Sequence, residues 1–240
     1  MLAQLLRLLR RNPLLRRVFF AYARDYRTLW DAFAVAPGLG REAILANAGD
    51  DEATFWGSGQ SDAQLHVLPF VTSGSRVLEL GVGIGRIARW VAPHCAQLTL
   101  VDVSERMLRR ARAVLGSDKI RYVRSSGSSL ASITDSSIDI AYSLLVLQHL
   151  EREDVVRYLA EFRRVLVSDG LLIFQLPDLA DPTSLSAFVD YAVRERIRSV
   201  ARVRFYTREE IGVLLDHFGF SVEDEQVVEG SFYLRARRRP

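Results

Sequence analysis

The chain predicts an α/β fold in which a mostly parallel sheet is covered by helices on both faces. Two observations carry this. From residue 76 onward, short apolar runs of strand length alternate with longer runs of helical period. The first apolar run also ends in a glycine-rich turn that opens toward a helix. Arg76-Val77-Leu78-Glu79-Leu80 is mostly apolar, as a strand covered on both faces should be. Gly81, Gly83 and Gly85 follow at alternate positions and permit backbone angles and close approaches that a Cβ would block. A helix expected from near Ile84 aims its N–H groups and positive dipole end at whatever lies over the turn. A crevice of that kind, at the carboxyl end of a parallel strand, is where open α/β sheets bind nucleotide-like ligands.

The next elements repeat the pattern. Gln97 to Asp102 reads as a strand ending in an acid, and Val103-Ser104 leads into a helix from Glu105 to Leu115. An acid about 20 residues past such a glycine turn is placed to accept hydrogen bonds from ribose hydroxyls. Ser104 is itself a good helix N-cap, which leaves Asp102 for a ligand. Ile120 to Arg124 is a short strand, followed by the polar loop Ser125-Ser126-Gly127-Ser128-Ser129. Asp139 then precedes alternating apolar residues of a fourth strand, which runs on into Leu144 and Val146-Leu147-Gln148-His149-Leu150. Arg163 to Phe174 reads as a helix end, a turn at Asp169-Gly170 and a fifth strand. Thr207 and Glu210 have capping-box spacing at the start of a helix that ends near Gly219, and two closing strands of an antiparallel hairpin follow.

A dinucleotide fingerprint would place its third glycine at position 86, where Arg86 stands, and this disfavours an NAD-dependent oxidoreductase. Glu79-x-Gly81-x-Gly83-x-Gly85 instead resembles motif I of the class I S-adenosylmethionine-dependent methyltransferases. The segments 138–150 and 163–174 are similar to that family's fourth-strand region and the helix, turn and strand after it. The resemblance covers residues 55–240. It implies a Rossmann-like three-layer sandwich with a mostly parallel seven-stranded sheet, plus an N-terminal helical cap. It implies methyl transfer from S-adenosylmethionine to an O-, N- or C-nucleophile of a small-molecule acceptor, by in-line displacement. Residue by residue, Glu79 would orient the cofactor's amino acid end, and Gly81, Gly83 and Gly85 would let the loop approach it. Asp102 would hold the ribose, Val103 and Met107 would pack on adenine, Ser126-Gly127 would border adenine, and Leu144 would complete the cofactor-binding set. Relatives usually carry an acid where Ser126 stands; a serine hydroxyl can accept the same bond without charge. For Val103 and Met107, ordinary core packing is the other reading. His149, just past the fourth strand, is read either as a general base or as a residue that shapes the pocket. Displacement at a sulfonium depends largely on positioning and desolvation, so both readings stand. Tyr142 and His66 are further candidates. A non-catalytic subunit that retained the fold is the alternative to an enzyme.

A length of 240 residues suits one α/β domain, and 49% hydrophobic with 25% charged residues is a globular balance. The single cysteine, Cys95, allows no internal disulfide and no cysteine-based zinc cluster, and it suggests the reducing cytoplasm. A net charge of +3 argues against a nucleic-acid footprint. Residues 1–54 form a basic-amphipathic, helical segment in which no acid precedes Asp25. Its apolar stretches are too short to span a bilayer and lack the layout of a signal peptide. Such a segment can cap the domain, pair with another subunit in an oligomer, or make peripheral membrane contact. Phe55 to Gln60 reads as an aromatic and glycine-rich stretch before a helical run from Asp62 to Val71, with Trp56 a core anchor or a cofactor lid. An insertion at 178–205 is expected to cover the substrate; its Arg194, Arg196, Arg198, Arg202 and Arg204 could hold an anionic acceptor. Hydrolase elbow, metal-ligand and phosphate-loop spacings are absent, so no metal is expected.

Overall fold

In this computed structural model, residues 25–35, 41, 44–45, 51–194, 200 and 202–240 are described. The apolar-basic run before Asp25, most of the 36–50 connection, and Arg196 and Arg198 lie outside the described residues. The helices are α1 (Tyr26–Phe33), α2 (Glu52–Asp62), α3 (Ala88–Val91), α4 (Glu105–Leu115), α5 (Arg152–Val165), α6 (Pro182–Arg194) and α7 (Arg208–His217). The strands are β1 (Arg76–Leu80), β2 (Gln97–Asp102), β3 (Ile120–Arg124), β4 (Ile138–Ser143), β5 (Leu166–Pro177), β6 (Phe220–Val228) and β7 (Ser231–Arg238).

The seven strands lie in the order β3-β2-β1-β4-β5-β7-β6, and only β7 runs antiparallel to its neighbours. β1, near the middle, is buried from Val77 to Leu80. Its side chains alternate between the two faces. Leu78 and Leu80 join an apolar layer with Leu159 and Phe162 of α5 and Ile211 and Leu215 of α7. Val77 joins the opposite layer, with Val91 of α3 and Leu108 and Ala111 of α4. A smaller cluster of Ala34, Phe55, Ile84 and Met107 seats the α1 end, with Trp30 and Ile44, against the carboxyl ends of the strands. Among the described residues, no helix is long and apolar enough to cross a membrane.

Two expectations are corrected. The helix after the glycine turn begins at Ala88, not near Ile84, because Gly85 at φ +93° breaks helical geometry. The stretch Phe55 to Gln60 is helical, within α2. Asp51 starts it by accepting the N–H groups of Ala53 (3.0 Å) and Thr54 (3.2 Å). Gly59 serves close packing, since a Cβ there would lie 2.2 Å from the Arg86 carbonyl oxygen.

Candidate active site

The glycine turn is held open by backbone geometry that other residues resist. Gly81, Gly83 and Gly85 have φ of +80°, +56° and +93°. The N–H groups of Gly81 and Val82 donate to the Val101 carbonyl at 2.7 and 3.1 Å, which ties the turn to the end of β2. Asp102 completes the tie. One of its carboxylate oxygens accepts the Gly83 N–H at 2.8 Å and the other accepts the Ser104 N–H at 2.9 Å. Burial pushes the Asp102 carboxyl up to about 6, against the lowering pull of those two amides. Ser104 caps α4 through Met107 N–H at 3.1 Å, so the capping and ligand-facing duties divide between Ser104 and Asp102.

These groups form the floor of a cleft of about 700 Å³, solvent at its mouth included. Of the residues expected from sequence, Gly81, Gly83, Asp102, Val103, Met107, Gly127, Leu144 and His149 line it. Three others do not. Glu79 lies on the opposite face of β1 from Leu80, only 4% exposed, and accepts the Tyr142 hydroxyl at 2.7 Å. Gly85 lies against Leu115 of α4. Ser126 is exposed, whereas its neighbour Ser125 is buried in the lining and takes the Gly127 N–H at 3.2 Å. Tyr142 is spent on Glu79, and His66 stacks on Tyr233 at 4.1 Å between centroids, away from the cleft. Trp56 is likewise outside the lining; its indole N–H donates to Glu52 at 3.1 Å.

Sequence reasoning missed the wall opposite the floor. Tyr26 and Trp30 of α1 and Ile44 close over the cleft, with the Trp30 ring 5.5 Å from that of His149. Tyr26 is anchored at the start of α5: its hydroxyl accepts the Glu151 N–H at 2.6 Å and donates to Asp154 at 3.0 Å. The described lining contains no arginine or lysine. Arg202 and Arg204, which could hold an acidic acceptor or belong to a solvated face, are engaged by Glu151 at 2.7 and 2.5 Å. Their pull, that of Arg204 first, holds the Glu151 carboxyl below its usual range. Arg204 also donates to the His149 carbonyl at 2.7 Å, so the insertion is clamped onto the loop after β4.

Residues 78–174 match the methyltransferase domain family. Over those residues the chain is similar to methyltransferase domains. A malonyl-[acyl-carrier protein] O-methyltransferase of Geobacter sulfurreducens is 36% identical over 166 residues, 65% of this chain and 60% of that protein. The N-terminal Xaa-Pro-Lys N-methyltransferase 1 of Rattus norvegicus is 29% identical over 138 residues, 56% of this chain and 61% of that protein. The chain thus spans about three-fifths of the length of these relatives. Among solved structures, magnesium protoporphyrin IX methyltransferase from Synechocystis with bound S-adenosylhomocysteine shares the fold. Its TM-score is 0.66 at 18% identity, over 89% of this chain and all of that one. The domain's match begins at Leu78 and ends at Phe174, so it contains the glycine turn, Asp102 and the loop after β4.

The residues present fit the family's methyl donor. Each Asp102 oxygen accepts one backbone N–H and keeps a lone pair for a ribose hydroxyl. Apolar Val103, Met107 and Leu144 line the same cleft and suit the flat face of a base.

Proposed function

We propose that this protein transfers a methyl group from S-adenosylmethionine to an acceptor that is a small molecule or a small group carried on a protein. The observation that carries the reading is Asp102, shared between Gly83 and Ser104 on the floor of a mostly apolar cleft inside the methyltransferase domain. When bound, the cofactor supplies the methyl group on a cationic sulfur. Asp102 binds the ribose hydroxyls, and the loop from Gly81 to Gly83 receives the amino acid end. Val103 and Met107 pack on adenine, which Ser125 and Gly127 border. Tyr26, Trp30, Ile44 and Val146 exclude water, which favours displacement by strengthening every electrostatic contact inside. His149 and Trp30 shape the side from which the acceptor enters.

The Geobacter relative makes a malonyl group on an acyl-carrier protein the first acceptor to try. Arg204 holds the described end of the insertion against the loop after β4, and Cys95, buried and unpaired, suits a cytoplasmic protein. The test is calorimetric titration with S-adenosylmethionine, S-adenosylhomocysteine and NAD. Binding of the first two, weakened in Asp102→Asn, supports the reading. Binding of NAD alone, or of none, overturns it.

A further inference from the structure

The loop between β4 and α5 carries a strained residue whose support comes from the core. Leu145 lines the cleft with φ +62°, a left-handed conformation that costs a non-glycine residue of order 1 kcal/mol or more. Its N–H donates at 3.1 Å to the side-chain oxygen of Gln175, a β5 residue only 1% exposed.

That one bond sets the direction of a longer chain. A backbone N–H can only donate, so Gln175 must present Oε1 to Leu145 and turn its NH₂ the other way. The NH₂ donates to Ser231 Oγ at 2.8 Å and to Gln148 Oε1 at 3.5 Å. With its oxygen so used, Gln148 turns its own NH₂ toward His149, whose Nε2 lies 3.3 Å away. An amide NH₂ has no acceptor capacity, so Nε2 must be the bare, accepting nitrogen of the ring. The ring's hydrogen then sits on Nδ1.

From this chain we infer that Gln175 is a positioning residue. Through Gln148 it fixes His149 as the Nδ1–H tautomer, and through Leu145 it fixes the loop that presents the ring to the cleft. His149 then meets an acceptor as an oriented, neutral ring. Using Nε2 as a general base would require breaking its contact with Gln148. The inference rests on the proposed function for what His149 does to an acceptor, but the relay itself does not depend on it.

The test is nitrogen-15 NMR of the imidazole rings in the full chain at pH 8, with His149 assigned by comparison with His149→Gln. The wild-type ring should show a hydrogen on Nδ1 and none on Nε2. Gln148→Leu cuts the relay at a half-buried position and should lower the share of the Nδ1–H tautomer. Gln175→Glu keeps the acceptor for Leu145 but reverses the chain. The introduced carboxylate takes the Gln148 NH₂, Gln148 offers its oxygen, and the hydrogen should move to Nε2. A wild-type hydrogen on Nε2, an unchanged ring in Gln148→Leu, or no shift in Gln175→Glu would each overturn the inference. Titration of the same samples with S-adenosylhomocysteine separates the two claims. A wild-type protein that does not bind it defeats the proposed function and leaves the relay readable. Binding retained while the tautomer ignores both variants defeats the relay alone.

Discussion

Removing the buried charge at Glu79 should flatten the response of stability to pH. Glu79 is fully enclosed beside Tyr142, and burial pushes its carboxyl from 4.5 up to about 8, although Tyr142 and Arg86 pull it down. The native state therefore keeps a proton that the unfolded chain releases from about pH 4.5 upward. Stability from this group is fully present below that pH and is lost as pH rises toward 8. At 1.36 kcal/mol per pKa unit, the loss between pH 5 and pH 9 is about 4 kcal/mol. Glu79→Gln keeps an acceptor for the Tyr142 hydroxyl and carries no charge, so it removes this slope. Asp102, also raised by burial, titrates in both proteins, and because its charge helps raise Glu79 the variant removes that coupling together with the Glu79 charge. Urea unfolding of the ligand-free proteins at half-unit steps from pH 5 to 9 measures the effect. The variant should match wild type near pH 5 and exceed it by a few kcal/mol at pH 9. For a chain of this size the gain corresponds to about 10 °C in Tm. Parallel curves would refute the reasoning, because they would mean that Glu79 is ionised in the native state at ordinary cost.

Three further outcomes follow from the geometry. Asp102→Asn should weaken S-adenosylhomocysteine binding by about ten- to a hundred-fold, the worth of a hydrogen bond to a charged group, as read by calorimetry. Gly59→Ala should destabilise the fold in urea titrations. The roughly 1 kcal/mol of helix propensity gained is outweighed by a Cβ placed 2.2 Å from the Arg86 carbonyl oxygen, an overlap costing about 1–3 kcal/mol. Tyr26→Phe should cost about 1–2 kcal/mol, because the Glu151 N–H loses its acceptor, and amide exchange at Glu151 should quicken.

The strands were legible because burial on both faces leaves an apolar run that few other elements produce. The bounds of β1, β2 and β3 and of α4 agree with those expected from sequence. α2 was not legible, since Gly57 and Gly59 lower helix propensity and mimic a loop. Asp51 followed by Glu52 was the available signal, an N-cap with an acid in the first turn. In the site, Asp102 and Gly83 were readable because spacing along one chain segment places them. Motif position says nothing about which side of the strand Glu79 occupies. Alternation along β1 puts it on the face opposite Leu80, and Leu80 is the residue that lines the cleft.

What spacing could not reveal was the wall over the cleft, and the reason is topological. The carboxyl end of β4 leaves the sheet without a helix to satisfy its backbone: Leu145 is left-handed and only a short turn, Leu147–His149, precedes α5. Buried polar groups in such a loop need partners from elsewhere. Three distant segments supply them: Gln175 takes the Leu145 N–H, Arg204 binds the carbonyls of Gln148 (through its own N–H) and His149, and Tyr26 takes the Glu151 N–H. Their separations in sequence, from 30 to 125 residues, put them beyond any local pattern. Each contact costs loop-closure entropy, which grows only slowly with length, so distance is no bar once the sheet is formed. This wall of the cleft is therefore built from widely separated parts of the chain. Exchanging α1 can re-shape the wall over the cleft, while Asp102, Gly83 and Ser104 keep its floor unchanged.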